Sequence, residues 1–265
     1  MNNNKSKIDS FFDQFSSEYS NENYNIDVNK VMLIRLRTIV KFVDENFKNK
    51  NIKILDLGCG SGEITLELAK LGYVGDALDN SKKMLDICKK KLSNYNWNYY
   101  LNEAQKTNLK NESYDLIIAS GLIEYYPNDA ILLNEITRLL KKEGHLIINV
   151  SNKLGYSTCL NFITYYFKQN LIFKFIKSKL FKFKYGIVNF SIRKHSIPIF
   201  KKVLEESGYQ IKEDKYIGFS LFPAPFLTLF NFLTRKIDLK LEFLSKTKIK
   251  ILGASYIVLC KKISK

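Results

Sequence analysis

A chain of 265 residues, 46% of them apolar, can bury a sizeable core and suits one large α/β domain or a domain with an elaborated cap. Its four cysteines (Cys59, Cys88, Cys159 and Cys260) stand far apart, with no C-x-x-C pair and no histidine beside them, so neither a disulfide framework nor a metal site is expected. The net charge of +16 is high for an enzyme of small molecules, and it is concentrated: between Glu143 and Glu205 there is no acid, while eleven Lys and Arg fall there.

The opening stretch, "MNNNKSKIDSFFDQF", is polar where a signal peptide needs an apolar run. Phe219 to Thr234, within the longest uncharged run, is short for a span and carries two prolines. A cytoplasmic protein without a transmembrane helix is therefore expected. A helix follows in which Arg35, at 100° per residue, falls on the stripe of Val31, Met32, Ile39 and Phe42, whereas Arg37 falls on the far side. A guanidinium on a core-facing stripe needs an anion, either a bound carboxylate or an internal Asp or Glu.

From there short apolar runs alternate with amphipathic stretches. Strands are expected at Lys53–Gly58, Tyr73–Asp79, Trp97–Asn102, Tyr114–Ser120 and His145–Val150, and helices at Glu63–Leu71, Ser81–Leu92 and Asp129–Lys141. Such alternation implies right-handed βαβ units and a parallel sheet covered on both faces. The rhythm breaks over residues 151–190. It resumes with a helix at about Ser196–Ser207, a strand near Tyr209–Ile217 and a last strand at Ala254–Lys262.

The first strand ends in "DLGCGSG". Gly58, Gly60 and Gly62 permit a tight turn and close approach of a ligand at the carboxyl end of a strand, where open α/β sheets bind their ligands. Asp79 ends the next strand, placed to accept hydrogen bonds from ribose hydroxyls. A nicotinamide dehydrogenase is the main rival for such a start, but its loop reads G-x-G-x-x-G and this one reads G-x-G-x-G.

"ILDLGCGSGEITLELAKLGY", followed by "GDALDNSKKMLDICKKKL", resembles the first two motifs of the class I S-adenosylmethionine-dependent methyltransferases. The pattern continues through "YYLNEAQKTNLKNESYDLIIASGLIEYYPND" and "LLKKEGHLIINV", over roughly residues 10–150, and is closest to the small-molecule kind, type 11/12-like. The resemblance implies a Rossmann-like seven-stranded, mostly parallel sheet with helices on both faces. It implies S-adenosylmethionine as cofactor, S-adenosylhomocysteine (SAH) as product, and no metal.

Carried over position by position, the resemblance implies cofactor contacts from Tyr19, Arg35, Gly58, Cys59, Gly60, Asp79, Asn80, Met84, Glu103, Ala104 and Ser120. Arg35 would take the methionine carboxylate, Asp79 the ribose, and Glu103-Ala104, where the family usually has Asp-Ala, the adenine. "FFDQFSSEY" resembles the family's N-terminal lid, with Tyr19 closing over cofactor and acceptor; a helix face packed on the sheet is the alternative. At the acceptor, His195 and Tyr125 are the candidate catalytic residues, and Arg193, Tyr125 and Tyr19 the candidate substrate contacts. Tyr125 stands where many relatives have histidine, and a cap or surface role is the alternative for His195. His145, at the start of the fifth strand, is expected to be structural.

The stretch after the fourth strand reads "SGLIEYY", without the D/N-P-P-aromatic motif of base N-methyltransferases or the cysteine of cytosine-C5 enzymes. A small or lipid-like acceptor is therefore expected, methylated on O or N: a quinone, tetrapyrrole, sugar or phosphorylated metabolite. An RNA or DNA methyltransferase, and a non-catalytic regulator that binds the cofactor, are the alternatives. "NFITYYFKQNLIFKFIKSKLFKFKYGIVNF" interleaves aromatics and lysines without an acid, fitting an inserted helical cap, with or without contact to an anionic membrane, or a protein-partner surface. The expected organisation is a lid and first helix over 1–50, a cofactor-binding core over 51–150, a basic and aromatic cap over 151–195, and completion of the sheet over 196–265 with an apolar excursion at 218–247.

Overall fold

The computed structural model describes residues 8, 10–17, 30–156, 192–219 and 240–263. Tyr19, Cys159, the basic stretch 161–190 and the apolar stretch 220–233 lie outside the described residues.

Helix α1 (Lys30–Asn46) buries Leu36, Thr38, Ile39, Phe42 and Val43 along one stripe and leaves Arg37 exposed, the phase its apolar spacing predicts. Strand β1 (Lys53–Leu57) is buried at every residue but the first. It leads through the glycine loop into α2 (Glu63–Lys70), then β2 (Val74–Asp79) and α3 (Lys82–Lys91). Ser81 caps α3, its hydroxyl accepting from the Met84 N–H at 3.2 Å, and Lys89, Lys90 and Lys91 sit in the last turn, where the helix dipole favours cations. Strands β3 (Trp97–Leu101) and β4 (Tyr114–Ala119) follow. A 3-10 turn at Ile123–Tyr125 then leads to α4 (Asp129–Leu139), capped by the Asn128 carboxamide accepting from Ala130 N–H at 2.8 Å.

Strand β5 runs Leu140–Ser151, α5 Ile197–Glu206, β6 Tyr209–Ile217 and β7 Ser255–Lys262. The expected helix to Lys141 is thus two residues too long and the expected strand start at His145 five too late. Leu140 already pairs with Tyr114, and the register shift before the Leu116–His145 pair absorbs the turn at Glu143 (φ 62°) and Gly144.

The seven strands form one sheet in the order β3-β2-β1-β4-β5-β7-β6, with β7 antiparallel to both neighbours and the other pairs parallel. Helices α1, α2 and α3 bury one face, with Ile39, Phe42, Leu68 and Leu85 against Ile54, Leu116 and Ile257. Helices α4 and α5 bury the other, with Leu133, Ile136, Phe200 and Leu204 against Ile117, Leu146 and Val258. Asp76, fully buried in β2, accepts from Tyr114 Oη at 2.5 Å and Asn98 Nδ2 at 2.8 Å, and pairs with Lys53 Nζ at 3.0 Å. A buried carboxylate survives because every face of it is answered. The five mutually parallel strands β1 to β5 consequently end on one side of the molecule, and the chemistry gathers there.

Candidate active site

The loop after β1 holds Gly58, Gly60 and Gly62 at φ of 76°, 54° and 82°, the left-handed region that side chains resist. Around Gly60 there is nothing within 4 Å of where a Cβ would stand, whereas one at Gly62 would meet Cys88 Sγ at 2.4 Å. Gly62 is therefore a packing glycine, and Gly60 is the one that leaves the cleft open. The Asp79 carboxylate ties the two motifs together, accepting from Gly60 N–H at 2.8 Å and from Ser81 N–H at 2.9 Å.

A cleft at this point is lined by Arg35, Asp56, Gly58, Cys59, Gly60, Ser61, Glu63, Ile64 and Ser120. The structure thus brings together Arg35, Gly58, Cys59, Gly60 and Ser120 of the residues expected at the cofactor, with Asp79 bonded to the loop. Arg35 reaches over the end of β4: its Nη1 lies 2.9 Å from where a Cβ on Gly121 would be, and Nη2 is 2.6 Å from Met32 Sδ. Among the described residues Arg35 makes no ion pair, so the internal salt bridge that would explain it away is absent there. Ser120 Oγ and Gly121 N–H both donate to Asn149 Oδ1, at 3.1 and 2.8 Å, which fixes the loop after β4.

Met84 and Ala104 are buried beside this region, while Asn80 and Glu103 are exposed; Glu103 Oε2 accepts from Gln105 Nε2 at 2.8 Å. The N-terminal segment meets this end of the sheet at two points. Asp13 accepts from Ser81 Oγ at 2.5 Å at the end of β2, and the Phe12 ring meets Tyr125 edge-on at 5.7 Å beyond the end of β4.

Sequence reasoning missed the acidic wall. Asp56 is buried, its Oδ2 accepting from Thr65 Oγ1 at 2.5 Å, and burial, with Asp79 and Glu63 nearby, pushes its carboxyl up to about 7. Glu63, which opens α2, is bonded by Ser61 Oγ at 2.8 Å and paired with Lys91. A helix whose first turn carries Glu63 is ill suited to a pyrophosphate, the group a dinucleotide would place there. It tolerates a cofactor whose anionic end is a carboxylate lying elsewhere, near Arg35. A carboxylate for hydroxyls, a guanidinium for a carboxylate and an open glycine between them fit S-adenosylmethionine.

The acceptor candidates gather beyond β4 and β5. His195 is buried, bridged to Asn152 at the end of β5, with its ring edge-on to Phe200 at 5.1 Å; its Nε2 lies 3.0 Å from Asp129 Oδ1. Arg193 pairs with the same oxygen and donates to Ile123 C=O at 3.2 Å. Burial opposes the Asp129 charge, but hydrogen bonds from His195 and Arg193 outweigh it and hold the carboxyl below its ordinary value. Glu124 is buried and accepts from the Ser151 N–H; burial raises its carboxyl, against the pull of Arg35 and His195. His145 lies apart, half-buried edge-on against Phe47 at 5.1 Å, a packing position. Asp129 and Glu124 carried no motif, since each acts only through partners distant in sequence.

Two expected results follow from this geometry. Arg35→Met should weaken cofactor binding by roughly tenfold or more, the value of a charge-assisted hydrogen bond, whereas Arg37→Met, on the exposed face, should change it by less than about twofold. Calorimetry with both variants checks this, and a sensitive Arg37 would contradict the orientation of α1.

The second concerns pH. With a folded value of about 7 against an ordinary 3.8, Asp56 holds a proton that the unfolded chain has already lost. Its contribution is fully present below about pH 4 and lost as pH rises through 7, to an extent on the order of 2–4 kcal/mol. Asp56→Asn keeps the acceptor for Thr65 and should melt with a flatter stability profile between pH 5 and 8; parallel profiles would contradict the assignment.

Residues 55–148 match the family model described as a methyltransferase domain. The chain is 30% identical over 128 residues to the ubiquinone biosynthesis O-methyltransferase of Pelagibacter ubique, covering 45% of this chain and 53% of that protein. It is 32% identical over 155 residues to the ubiquinone/menaquinone biosynthesis C-methyltransferase of Wigglesworthia glossinidia brevipalpis, covering 54% and 60%. The chain thus spans somewhat over half the length of these curated relatives. In structure it resembles the magnesium protoporphyrin IX methyltransferase of Synechocystis with bound SAH, at a TM-score of 0.65 and 15% identity over 98% of this chain and 100% of that one. Among the described residues no group of three or more His, Cys, Asp or Glu is placed to hold a metal ion. With its glycine loop and strand-end acid on a seven-stranded sheet, the chain carries over residues 55–148 a segment that matches the methyltransferase domain.

Proposed function

We propose that the protein binds S-adenosylmethionine across the carboxyl ends of β1, β2 and β4 and transfers its methyl group to an oxygen or nitrogen of a small or lipid-like acceptor. The observation that carries this reading is the open left-handed Gly60 set between the Asp79 carboxylate and the Arg35 guanidinium. Asp79 would accept from the ribose hydroxyls, Arg35 would pair with the methionine carboxylate, and Ala104 with Glu103 would border the adenine. When bound, the cofactor supplies a methyl already activated on a sulfonium. What remains for the chain is to align the acceptor, keep water out and, for a hydroxyl acceptor, take a proton. Phe12, Asp13 and, outside the described residues, Tyr19 would close the N-terminal segment over both ligands.

The relatives' names, with quinone and porphyrin substrates, support an acceptor of that chemical class: a flat, largely apolar ring system with polar substituents. Incubating the protein with cell extract and methyl-labelled cofactor, then separating the labelled products by mass, tests the reading. A labelled small or lipid-extractable molecule is expected. Label confined to RNA or DNA, or no transfer despite cofactor binding, would replace it with one of the alternatives.

We also infer cytoplasmic placement with peripheral contact to an anionic surface. No helix among the described residues is long and apolar enough to cross a membrane. The acid-free stretch 161–190 interleaves lysines with aromatics, and near the C-terminus Phe243, Lys246, Lys248, Ile249, Lys250 and Ile251 are all exposed. Lysines near an anionic leaflet contribute on the order of 1 kcal/mol each and are screened over about 10 Å in 0.1 M salt. The protein is therefore expected to sediment with anionic vesicles at low salt and to release as salt rises. Replacing Lys174, Lys177, Lys182 and Lys184 by Gln should reduce that binding without changing cofactor affinity. Indifference to vesicles at low salt would leave 161–190 as a soluble cap.

A further inference from the structure

Two 3-10 turns, Glu242–Lys246 and Lys248–Leu252, precede β7, and neither buries a residue. They nevertheless carry Phe243, Ile249, Ile251 and Leu252, all exposed, Phe243 by 60%. A single exposed apolar side chain is ordinary, but four large ones between positions 243 and 252 form a patch, and a patch marks a contact. The patch is fastened rather than loose. Asn152, which follows β5, donates from Nδ2 to Ile251 C=O at 2.7 Å and to Gly253 C=O at 2.8 Å, and Glu242 Oε1 accepts from the N–H groups of Gly218 and Phe219, after β6, at 3.0 and 3.1 Å. These ties hold it at the carboxyl ends of β5 and β6, the end at which β1 and β4 open into the cleft. Asn149 links the two regions: its Oδ1 holds the loop after β4, and its Nδ2 donates to Ser255 Oγ at 3.4 Å at the start of β7. Charge then decides what the patch meets. Glu242 is the one acid between Lys240 and Lys262, and its carboxylate is turned inward, whereas Lys240, Lys246, Lys248 and Lys250 are exposed. The core of a protein interface is depleted in lysine. An anionic bilayer takes both kinds of side chain, rings and aliphatics among the acyl chains and ammonium groups at the headgroups.

We propose that these two turns are a membrane-docking element, which inserts Phe243, Ile249 and Ile251 into an anionic bilayer and turns the carboxyl end of the sheet toward it. The inference rests on the proposed contact with an anionic surface and deepens it in two ways. It assigns the insertion to named side chains outside the basic stretch 161–190, and it fixes which end of the sheet faces the lipid. A lipid-like acceptor held in the leaflet would meet the cleft from that side.

Trp97, the chain's one tryptophan, is buried, so a tryptophan introduced at the patch reports its surroundings against a constant background. The probe is a vesicle of phosphatidylglycerol and phosphatidylcholine whose acyl chains carry bromine, a contact quencher. With the full-length chain at low salt, the emission of Phe243→Trp should shift to the blue and be quenched saturably. Leu71→Trp, exposed at the opposite end of the sheet where α2 leads into β2, should not respond. Ile249→Ser combined with Ile251→Ser should weaken vesicle binding roughly tenfold or more, and Lys246→Gln, Lys248→Gln and Lys250→Gln together should do the same at low salt. All of these variants should melt and bind S-adenosylmethionine as the wild type does; should the serine variant fail to fold, the Phe243→Trp reading stands without it. Sedimentation of the wild type with vesicles that leave Phe243→Trp unquenched, or equal quenching of Leu71→Trp, would overturn the docking element and leave the surface contact to be sought elsewhere. A blue shift without lipid that grows with protein concentration would assign the patch to contact between copies of the chain and overturn it as well. Absence of sedimentation at low salt would instead sink the anionic-surface reading, and the element with it.

Discussion

Asp79→Ala is expected to weaken S-adenosylmethionine binding roughly a hundredfold, about 3 kcal/mol, while the protein stays folded. The carboxylate ends β2 and is half-buried, and each of its oxygens accepts one backbone N–H, from Gly60 and from Ser81. An ionised carboxyl has further lone pairs for two ribose hydroxyls. Removing it takes away the ribose contact and also frees the Gly60 N–H, so the glycine loop loses the bond that aligns it. The scaffold survives because β2 is held on both sides by its ladders to β1 and β3, which do not involve the side chain. Gly60→Val should have a comparable effect by filling the open side of the loop, with strain of about 1–2 kcal/mol at its φ of 54°. Calorimetry and a thermal melt on the same samples check both halves: near wild-type affinity in both variants contradicts the site, and loss of the folded melt contradicts the claim that the scaffold is independent of it.

Gly75→Ala is expected to have the largest effect on stability, about 4 kcal/mol or more, and to leave little folded protein. Gly75 pairs with Ile54 in the middle of the sheet, and a Cβ there would stand 2.1 Å from the Ile54 carbonyl oxygen and 2.9 Å from its carbon. A flexible side chain could swing away from such a contact, but a ladder backbone cannot. Relief requires β1 and β2 to separate, which would strain the adjoining Asp76 network with Tyr114, Asn98 and Lys53. Gly72 is the control: three positions earlier, at φ 87° with open space around it, its replacement by Ala should cost only the left-handed strain of about 1–2 kcal/mol. Equal melting temperatures for the two variants would contradict this account of the β1–β2 contact.

The fold was legible because its signals are local and repeated. Buried parallel strands must be apolar on both faces, so Lys53–Leu57 and Tyr114–Ala119 stand out as runs, and the amphipathic stripe of α1 separates Arg35 from Arg37 without reference to anything else. The glycine loop and Asp79 were legible for the same reason, since a backbone held at positive φ demands glycine. The end of α4 was misjudged because Leu140 serves either a helix face or a strand, and only its pairing with Tyr114 decides.

The acidic lining and the partners of Asp129 were not legible. Asp56 reads as a strand end until Thr65 and Glu63 are seen around it, and Asp129 reads as a helix start until residues more than sixty positions away fold against it. His195 stood out in sequence as a candidate base, but its engagement through Nε2 depends entirely on that distant carboxylate.

The measurement that bears most directly on the central claim is calorimetric titration of the wild-type protein with S-adenosylmethionine and SAH, set beside NADH. The proposed site, with an open Gly60, Asp79 for the ribose, Arg35 for the carboxylate and Glu63 in the first turn of α2, should give saturable one-to-one binding of both sulfur ligands and none of the dinucleotide. Binding of NADH, or silence toward both sulfur ligands by a protein that melts cooperatively, would contradict it.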